Sequence, residues 1–285
     1  VYEGLVRDVK STKRDLYYRN VALFKSQSVV DRLLSQLELT YECERHEFNV
    51  VASAKGLLFG PAAITMTDGQ VLDLSSQARN ITDVEHYAAI DLSNIETVLV
   101  VEKDAVFQTL CQSVSAAPAS HPCKNWLLLT AKGYPDVSSR QALKFIEASI
   151  TTSTDVSIRA IPLLCLVDLD PHGIEILATW KYGSVARAAH SRHLAVTSLR
   201  WLGVHVEEIA DVAAHMLPLT PADNRKADAL LCRKWCTGSM QSRNWRQQVM
   251  RLKQLQLKAE IEILAEKQDG LLSTLTNWIQ YGNWL

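Results

Sequence analysis

Two stretches decide how this chain is read: Thr97-Val98-Leu99-Val100-Val101-Glu102 and Pro162-Leu163-Leu164-Cys165-Leu166-Val167-Asp168-Leu169-Asp170. Each is a continuous apolar run closed by acid. A strand covered by helices on both faces of a parallel sheet has this composition. Ligands of open α/β sheets sit beyond the carboxyl ends of the strands, where these acids lie. Successive strand residues point to opposite faces, so Asp168 and Asp170 share a face while Leu169 turns away. A third carboxylate from Glu102 would complete an oxygen-only cluster suited to Mg²⁺. Acids that merely cap strands are common, so the reading leans on the two sites together.

Outward from these strands, the rhythm from about residue 91 is β-α-β-α. A helix is expected from Asp104 to Val114, then a strand at Trp126-Leu127-Leu128-Leu129-Thr130. A Gly133-Tyr134-Pro135-Asp136 turn opens a helix carrying Leu143, Phe145 and Ile146, and after the Asp168 strand another helix runs through Ile174, Leu177 and Trp180. Such alternation predicts a parallel sheet with right-handed crossovers. After Thr220-Pro221, a good helix start, the remainder reads as helical to Leu285, including a late helix with Leu252, Leu255, Leu257, Ile261, Ile263 and Leu264.

The first 65 residues read differently. Ser11 or Thr12 caps a helix through Leu16, Tyr17, Val21 and Phe24, and a second helix carries Val29, Val30, Leu33, Leu34 and Leu37. Phe48–Ala52 and Gly56–Gly60 read as strands joined by a turn at 54–56. Two helices and a two-stranded wing suggest a winged-helix module. The expected division is 1–88 for this module with its linker and 89–285 for the α/β domain with a helical C-terminal extension.

Composition narrows the function classes. At 285 residues, with 47% hydrophobic and 21% charged residues, the chain is long enough for one large domain or two ordinary ones. A formal net charge of -1 excludes a uniformly basic nucleic-acid binder but permits a local basic face. The six cysteines (Cys43, Cys111, Cys123, Cys165, Cys232, Cys236) have no zinc spacing and read as reduced thiols of an intracellular protein. No run is apolar and long enough for a membrane span.

In Lys13-Arg14-Asp15-Leu16-Tyr17-Tyr18, helical geometry puts Tyr17 on the apolar arc with Leu16 and Tyr18 on the opposite side. Arg14, one turn before Tyr18, can place its guanidinium on a phosphate attacked by the phenol. An exposed tyrosine beside an arginine is ordinarily only surface. His172 is a candidate for taking the phenol proton, against a plain role as a turn residue.

That segment resembles the catalytic tyrosine motif of the type IIB topoisomerase family: the A subunit of archaeal topoisomerase VI and its eukaryotic relatives that break DNA in meiosis. Further matching pieces stand in the family's order: Lys55-Gly56-Leu57, Val101-Glu102-Lys103-Asp104, Lys132-Gly133-Tyr134-Pro135-Asp136, Asp168-Leu169-Asp170-Pro171-His172-Gly173, Leu199-Arg200-Trp201-Leu202-Gly203 and Leu219-Thr220-Pro221-Ala222-Asp223. One departure is Ala131, where many relatives have glycine.

The resemblance implies a winged-helix tyrosine domain followed by a Toprim domain. It implies Tyr18 as nucleophile with Arg14 beside it, Mg²⁺ on Glu102, Asp168 and Asp170, and Lys13, Lys132 and Tyr134 near DNA. Also implied are double-stranded DNA as substrate, a homodimer with hybrid sites, a topoisomerase VI B-like partner, accessory meiotic proteins and a nuclear location. The reaction implied is a double-strand break by tyrosine attack that leaves a 5′-phosphotyrosyl link and initiates meiotic recombination. The alternatives are a hydrolytic Toprim nuclease and a catalytically silent DNA-binding component of a topoisomerase-like complex.

Overall fold

The computed structural model describes residues 1–43, 45–51, 55–82, 84–183, 192–233, 235 and 240–285. By its contacts the chain divides into two compact units, Val1–Ala54 and Lys55–Leu285. The division falls well before the expected 88/89, because residues 57–91 supply strands to the second unit.

In the first unit, Thr12 begins the helix Lys13–Arg19 with a full capping box: its side chain accepts from the Asp15 N–H, and the Asp15 carboxylate accepts from the Thr12 N–H. The expected single helix through Phe24 is broken at Asn20 (φ -153°, ψ 76°), whose side chain caps a separate turn, Val21–Phe24. The break leaves Val21 exposed, which corrects its expected place on the helix with Leu16 and Tyr17, and Leu23 is exposed beside it. The second helix, Gln27–Tyr41, buries Val30 and Leu34 against Leu16 and Val50, while Leu33 stays exposed.

Among the described residues the expected hairpin is not formed. Val50–Val51 pairs in parallel with Ser11–Thr12, whereas Leu57–Phe59 belongs to the main sheet. Leu57, Leu58 and Phe59 are all buried, so this run needs cover on both faces, which a two-stranded wing cannot give. Ala52 and the turn at Ala54 lie outside the described residues.

In the second unit, four strands stand parallel in the order Arg200–Gly203, Leu163–Leu166, Thr97–Val101 and Trp126–Thr130. Two antiparallel strands, Leu57–Phe59 and Arg79–Asn80, extend the Trp126–Thr130 edge. A separate three-stranded antiparallel sheet joins Ala63–Met66, Val71–Asp73 and Tyr87–Asp91. Val98, Leu99, Val100, Leu127, Leu128, Leu164, Cys165 and Leu166 are fully buried, as the unbroken apolar runs require. The crossover helices Asp104–Ala116, Val137–Thr152 and Pro171–Tyr182 match the expected alternation.

The C-terminal part departs from continuous helix. The helix Met240–Leu255 ends before Leu257, and Leu257–Lys258 pairs antiparallel with Leu217–Pro218. Ile261, Ile263 and Leu264 lie in a 3₁₀ segment, Ile261–Glu266, rather than on the expected late helix. Among the described residues no helix is long and apolar enough to cross a membrane. Cys43, Cys111, Cys123, Cys165 and Cys232 are free thiols; Cys236 lies outside the described residues.

Candidate active site

Parallel pairing of Leu163–Leu166 with Thr97–Val101 brings Glu102 and Asp168 together at neighbouring strand ends. The Glu102 N–H donates to the Leu166 carbonyl (3.0 Å), and the Asp168 N–H donates to Glu102 Oε2 (2.9 Å). Both acids are nearly sealed from solvent, at 9% and 8% exposure. Burial drives the Glu102 carboxyl well above the ordinary range, and the Asp168 charge adds to the rise. Asp168 is raised too, chiefly by burial; the Ile261 N–H and Lys103 pull against that, and Asp170 adds to it.

Asp168 is held at both oxygens. Oδ1 accepts the Ile261 N–H at 2.8 Å, and Oδ2 lies 3.2 Å from Lys103 Nζ. Lys103 also meets Glu262 at 2.7 Å and Glu260 at 3.3 Å. Burial works against its charge, but Glu262 and Asp168 outweigh it and hold the amine ionised. Leu169, fully buried between the two aspartates, exchanges both backbone hydrogen bonds with Ala259. The segment 259–262 therefore supports the Asp-x-Asp stretch from a part of the chain about ninety residues further on.

Asp170 caps the next helix. Its Oδ1 accepts the Gly173 N–H (2.7 Å) as N-cap of Pro171–Tyr182, with Pro171 in the first turn. It stays close enough to raise both buried acids electrostatically. Among the described residues no three His, Cys, Asp or Glu side chains are gathered as a ready metal-ligand set. Glu102 and Asp168 form a hydrogen-bonded pair, and Asp170 lies near enough to act on both. The donor chemistry fits a hard divalent ion: the groups are all oxygen acids, and two buried carboxyls in contact repel as anions unless positive charge is supplied.

The Lys132-Gly133-Tyr134 turn wraps the same strand end. The Gly133 N–H donates to the Glu102 carbonyl (2.8 Å), with Gly133 at φ +96° and Lys132 at φ +54°. Lys132 Nζ pairs with Asp104 Oδ2 at 3.2 Å, and its carbonyl accepts from Lys55 Nζ at 3.3 Å. The Tyr134 hydroxyl donates to Glu175, which also binds Lys226 and lies 3.5 Å from Arg233. Burial and the Glu175 charge raise the Tyr134 phenol, so it stays protonated. His172 is half exposed on the same helix as Glu175, with Nε2 3.9 Å from Asp223.

In the first unit Tyr18 is 61% exposed and its ring lies 5.3 Å from that of half-buried Tyr17. Arg14 is exposed on the same short helix, while Lys13 is ion-paired with Asp31. The sequence alone assigns no role to Lys103, although it adjoins Glu102. The contributions of Ile261 and Glu175 carry no local signal.

Residues 97–276 match the family model for the Toprim domain of the topoisomerase 6 A subunit/Spo11, well over half of the chain. The chain belongs to the topoisomerase 6 A-subunit/Spo11 family. Its second unit thus carries a Toprim domain, a class that generally binds divalent metal, and Glu102, Lys132, Tyr134, Asp168 and Asp170 all lie inside the match. Residues 1–50, with Lys13, Arg14 and Tyr18, match the model "Type IIB DNA topoisomerase".

Members of the topoisomerase 6 A-subunit/Spo11 family that resemble this chain include the human meiotic recombination protein SPO11. It is 30% identical over 292 residues, covering 100% of this chain and 70% of the relative. Meiotic recombination protein rec12 of Schizosaccharomyces pombe is 35% identical over 267 residues, 93% of this chain and 71% of the relative. Meiotic recombination protein SPO11-1 of Oryza sativa subsp. indica is 32% identical over 278 residues, 96% and 69%.

Proposed function

We propose that the protein is a Mg²⁺-dependent DNA transesterase that makes the double-strand breaks of meiotic recombination. The observation that carries this reading is the outward-facing Tyr18 phenol, within a segment that matches type IIB topoisomerases. It stands in a chain that also holds a buried Glu102–Asp168 acid pair at a Toprim strand rim.

Tyr18 Oη attacks a backbone phosphorus of duplex DNA; the new Tyr18–phosphorus bond replaces the bond to the 3′ oxygen. The phenol proton leaves, and the departing 3′ oxygen gains one to become a hydroxyl. One phosphodiester is exchanged for another, so the step needs no energy cofactor. Arg14 steadies the phosphate under attack, and Lys13 and Lys132 bind neighbouring phosphates. Tyr134 packs against DNA beside the acid pair. Glu102 and Asp168, joined by Asp170, hold the Mg²⁺. When bound, the ion supplies charge stabilisation at the phosphate and leaving oxygen.

The first unit serves as the DNA-facing module that presents Tyr18. The working form is a homodimer, each tyrosine serving the other protomer's acid centre, assembled in the nucleus with a topoisomerase VI B-like partner and accessory meiotic proteins. The names of the relatives support the meiotic setting, and a break in both strands calls for two such centres.

The test is denaturing electrophoresis of 3′-end-labelled duplex DNA after incubation with Mg²⁺ and partner proteins. Label migrating with protein, lost on Tyr18→Phe and retained on Tyr17→Phe, is the expected result. Cutting that persists in Tyr18→Phe with no protein attached would replace this reading by a hydrolytic nuclease.

A further inference from the structure

Lys103 lies at the meeting point of two acid groups. On one side is Asp168, whose Oδ1 accepts the Ile261 N–H and whose Oδ2, free of backbone hydrogen bonds among the described residues, is the freer oxygen for a metal ion; Lys103 Nζ stands 3.2 Å from Oδ2. On the other side are Glu262 (2.7 Å) and Glu260 (3.3 Å), both with side chains about half exposed. The amine is therefore shared between a buried acid of the proposed metal centre and two acids on the rim.

We propose that Lys103 is a positioning residue that exchanges with the divalent ion: it neutralises Asp168 until metal arrives, then passes to Glu260 and Glu262. The inference rests on the metal reading above and adds to it a mechanism for loading. Two cations cannot both sit close to one buried carboxylate oxygen without repulsion, which in a poorly solvated site is felt strongly. The backbone supports the exchange. Ile261 holds Asp168 from the same short segment that carries Glu260 and Glu262, so the two destinations of the lysine are fixed relative to each other. The strength of Lys103 binding to the rim acids then sets how readily the centre takes metal.

The test is a double-mutant cycle on Mg²⁺ affinity, read by calorimetry and by the Mg²⁺-dependent rise in Tm, without reference to DNA cutting. Lys103→Met is expected to tighten Mg²⁺ binding about three- to tenfold, because a competing cation is removed. Glu262→Gln is expected to weaken it by a similar factor, because Lys103 then leans more heavily on Asp168.

In the Lys103→Met background, Glu262→Gln is expected to have nearly no effect. Equal effects of Glu262→Gln with and without Lys103 would show general electrostatics alone and overturn the exchange. So would unchanged or weaker Mg²⁺ binding in Lys103→Met. Wild-type binding that vanishes in Asp168→Asn upholds the metal centre whichever way the cycle falls. A wild-type chain that takes up no Mg²⁺ would remove both.

Discussion

A β-carbon placed on Gly173 would stand 2.3 Å from the carbonyl oxygen of Asp168 and 3.0 Å from its nitrogen. The first turn of the Pro171–Tyr182 helix thus lies against the backbone of a buried acid, and only a residue without a side chain permits it. Backbone cannot rotate aside as a flexible side chain can. Gly173→Ala is expected to cost about 1–3 kcal/mol, as overpacking does, and to shift Asp168 away from Glu102. Urea unfolding checks the first effect, and loss of the Mg²⁺-dependent rise in Tm checks the second.

Thr12 governs the helix that presents Tyr18. Thr12→Ala removes the capping box and is expected to cost about 1 kcal/mol locally. Amide hydrogen exchange across Leu16–Arg19 should accelerate about fivefold for that loss. Tyr18→Phe, which alters only an exposed hydroxyl, should leave the same amides unchanged.

Proton linkage gives a characteristic pH profile to the metal-free protein. The folded-state pKa of Glu102 is raised above its unfolded value, so the folded form holds the proton more tightly. Stability from that proton is full below the ordinary glutamate range, about 4.3, and declines as pH rises through the raised folded value. Glu102→Gln, which keeps an oxygen for the Asp168 N–H, should flatten this decline. Asp223 acts at the other end. Burial opposes its ionisation, but Lys258 at 2.9 Å and the Thr220 hydrogen bonds outweigh it and hold its pKa down to about 2. Its contribution is present above the ordinary aspartate range and is lost as pH falls through about 2. Tm measured across pH for wild type and Glu102→Gln tests both signs.

Lys132 is held by Asp104 at the strand rim and carries the charge proposed to meet a phosphate. Lys132→Ala is expected to weaken DNA binding without regard to sequence. The slope of log affinity against log salt should fall by about 0.9, the release of one counterion. Fluorescence anisotropy over a salt series gives that slope directly.

Much of the second unit is legible in the sequence because its physics is local. Thr97–Val101, Trp126–Thr130 and Leu163–Leu166 are apolar on both faces, and the turns between them carry Pro, Gly and capping acids. Leu57–Phe59 reads as a strand, but its partner does not read from the sequence. Pairing to Trp126–Thr130 spans some seventy residues, and no local pattern announces it. The break at Asn20 follows from the Asn cap, a signal that the helical periodicity through Phe24 masks.

At the site, Glu102 and Asp168 are legible as strand-end acids, and the structure places them in contact. The capping role of Asp170 is also written in the chain, since Asp-Pro is a strong helix start. Lys103 and Ile261 escape a reading of the sequence for a different reason. Their roles depend on a crossing between residues 102–103 and 259–262, and only the folded chain shows it.

The pairing of Leu169 with Ala259 has a consequence for biosynthesis. Glu102 and Asp168 emerge from the ribosome long before the segment that braces Asp168 and Leu169, so a nascent or prematurely terminated polypeptide carries these acids without that support. The acid pair thereby acquires its brace only once residues 259–261 have been translated.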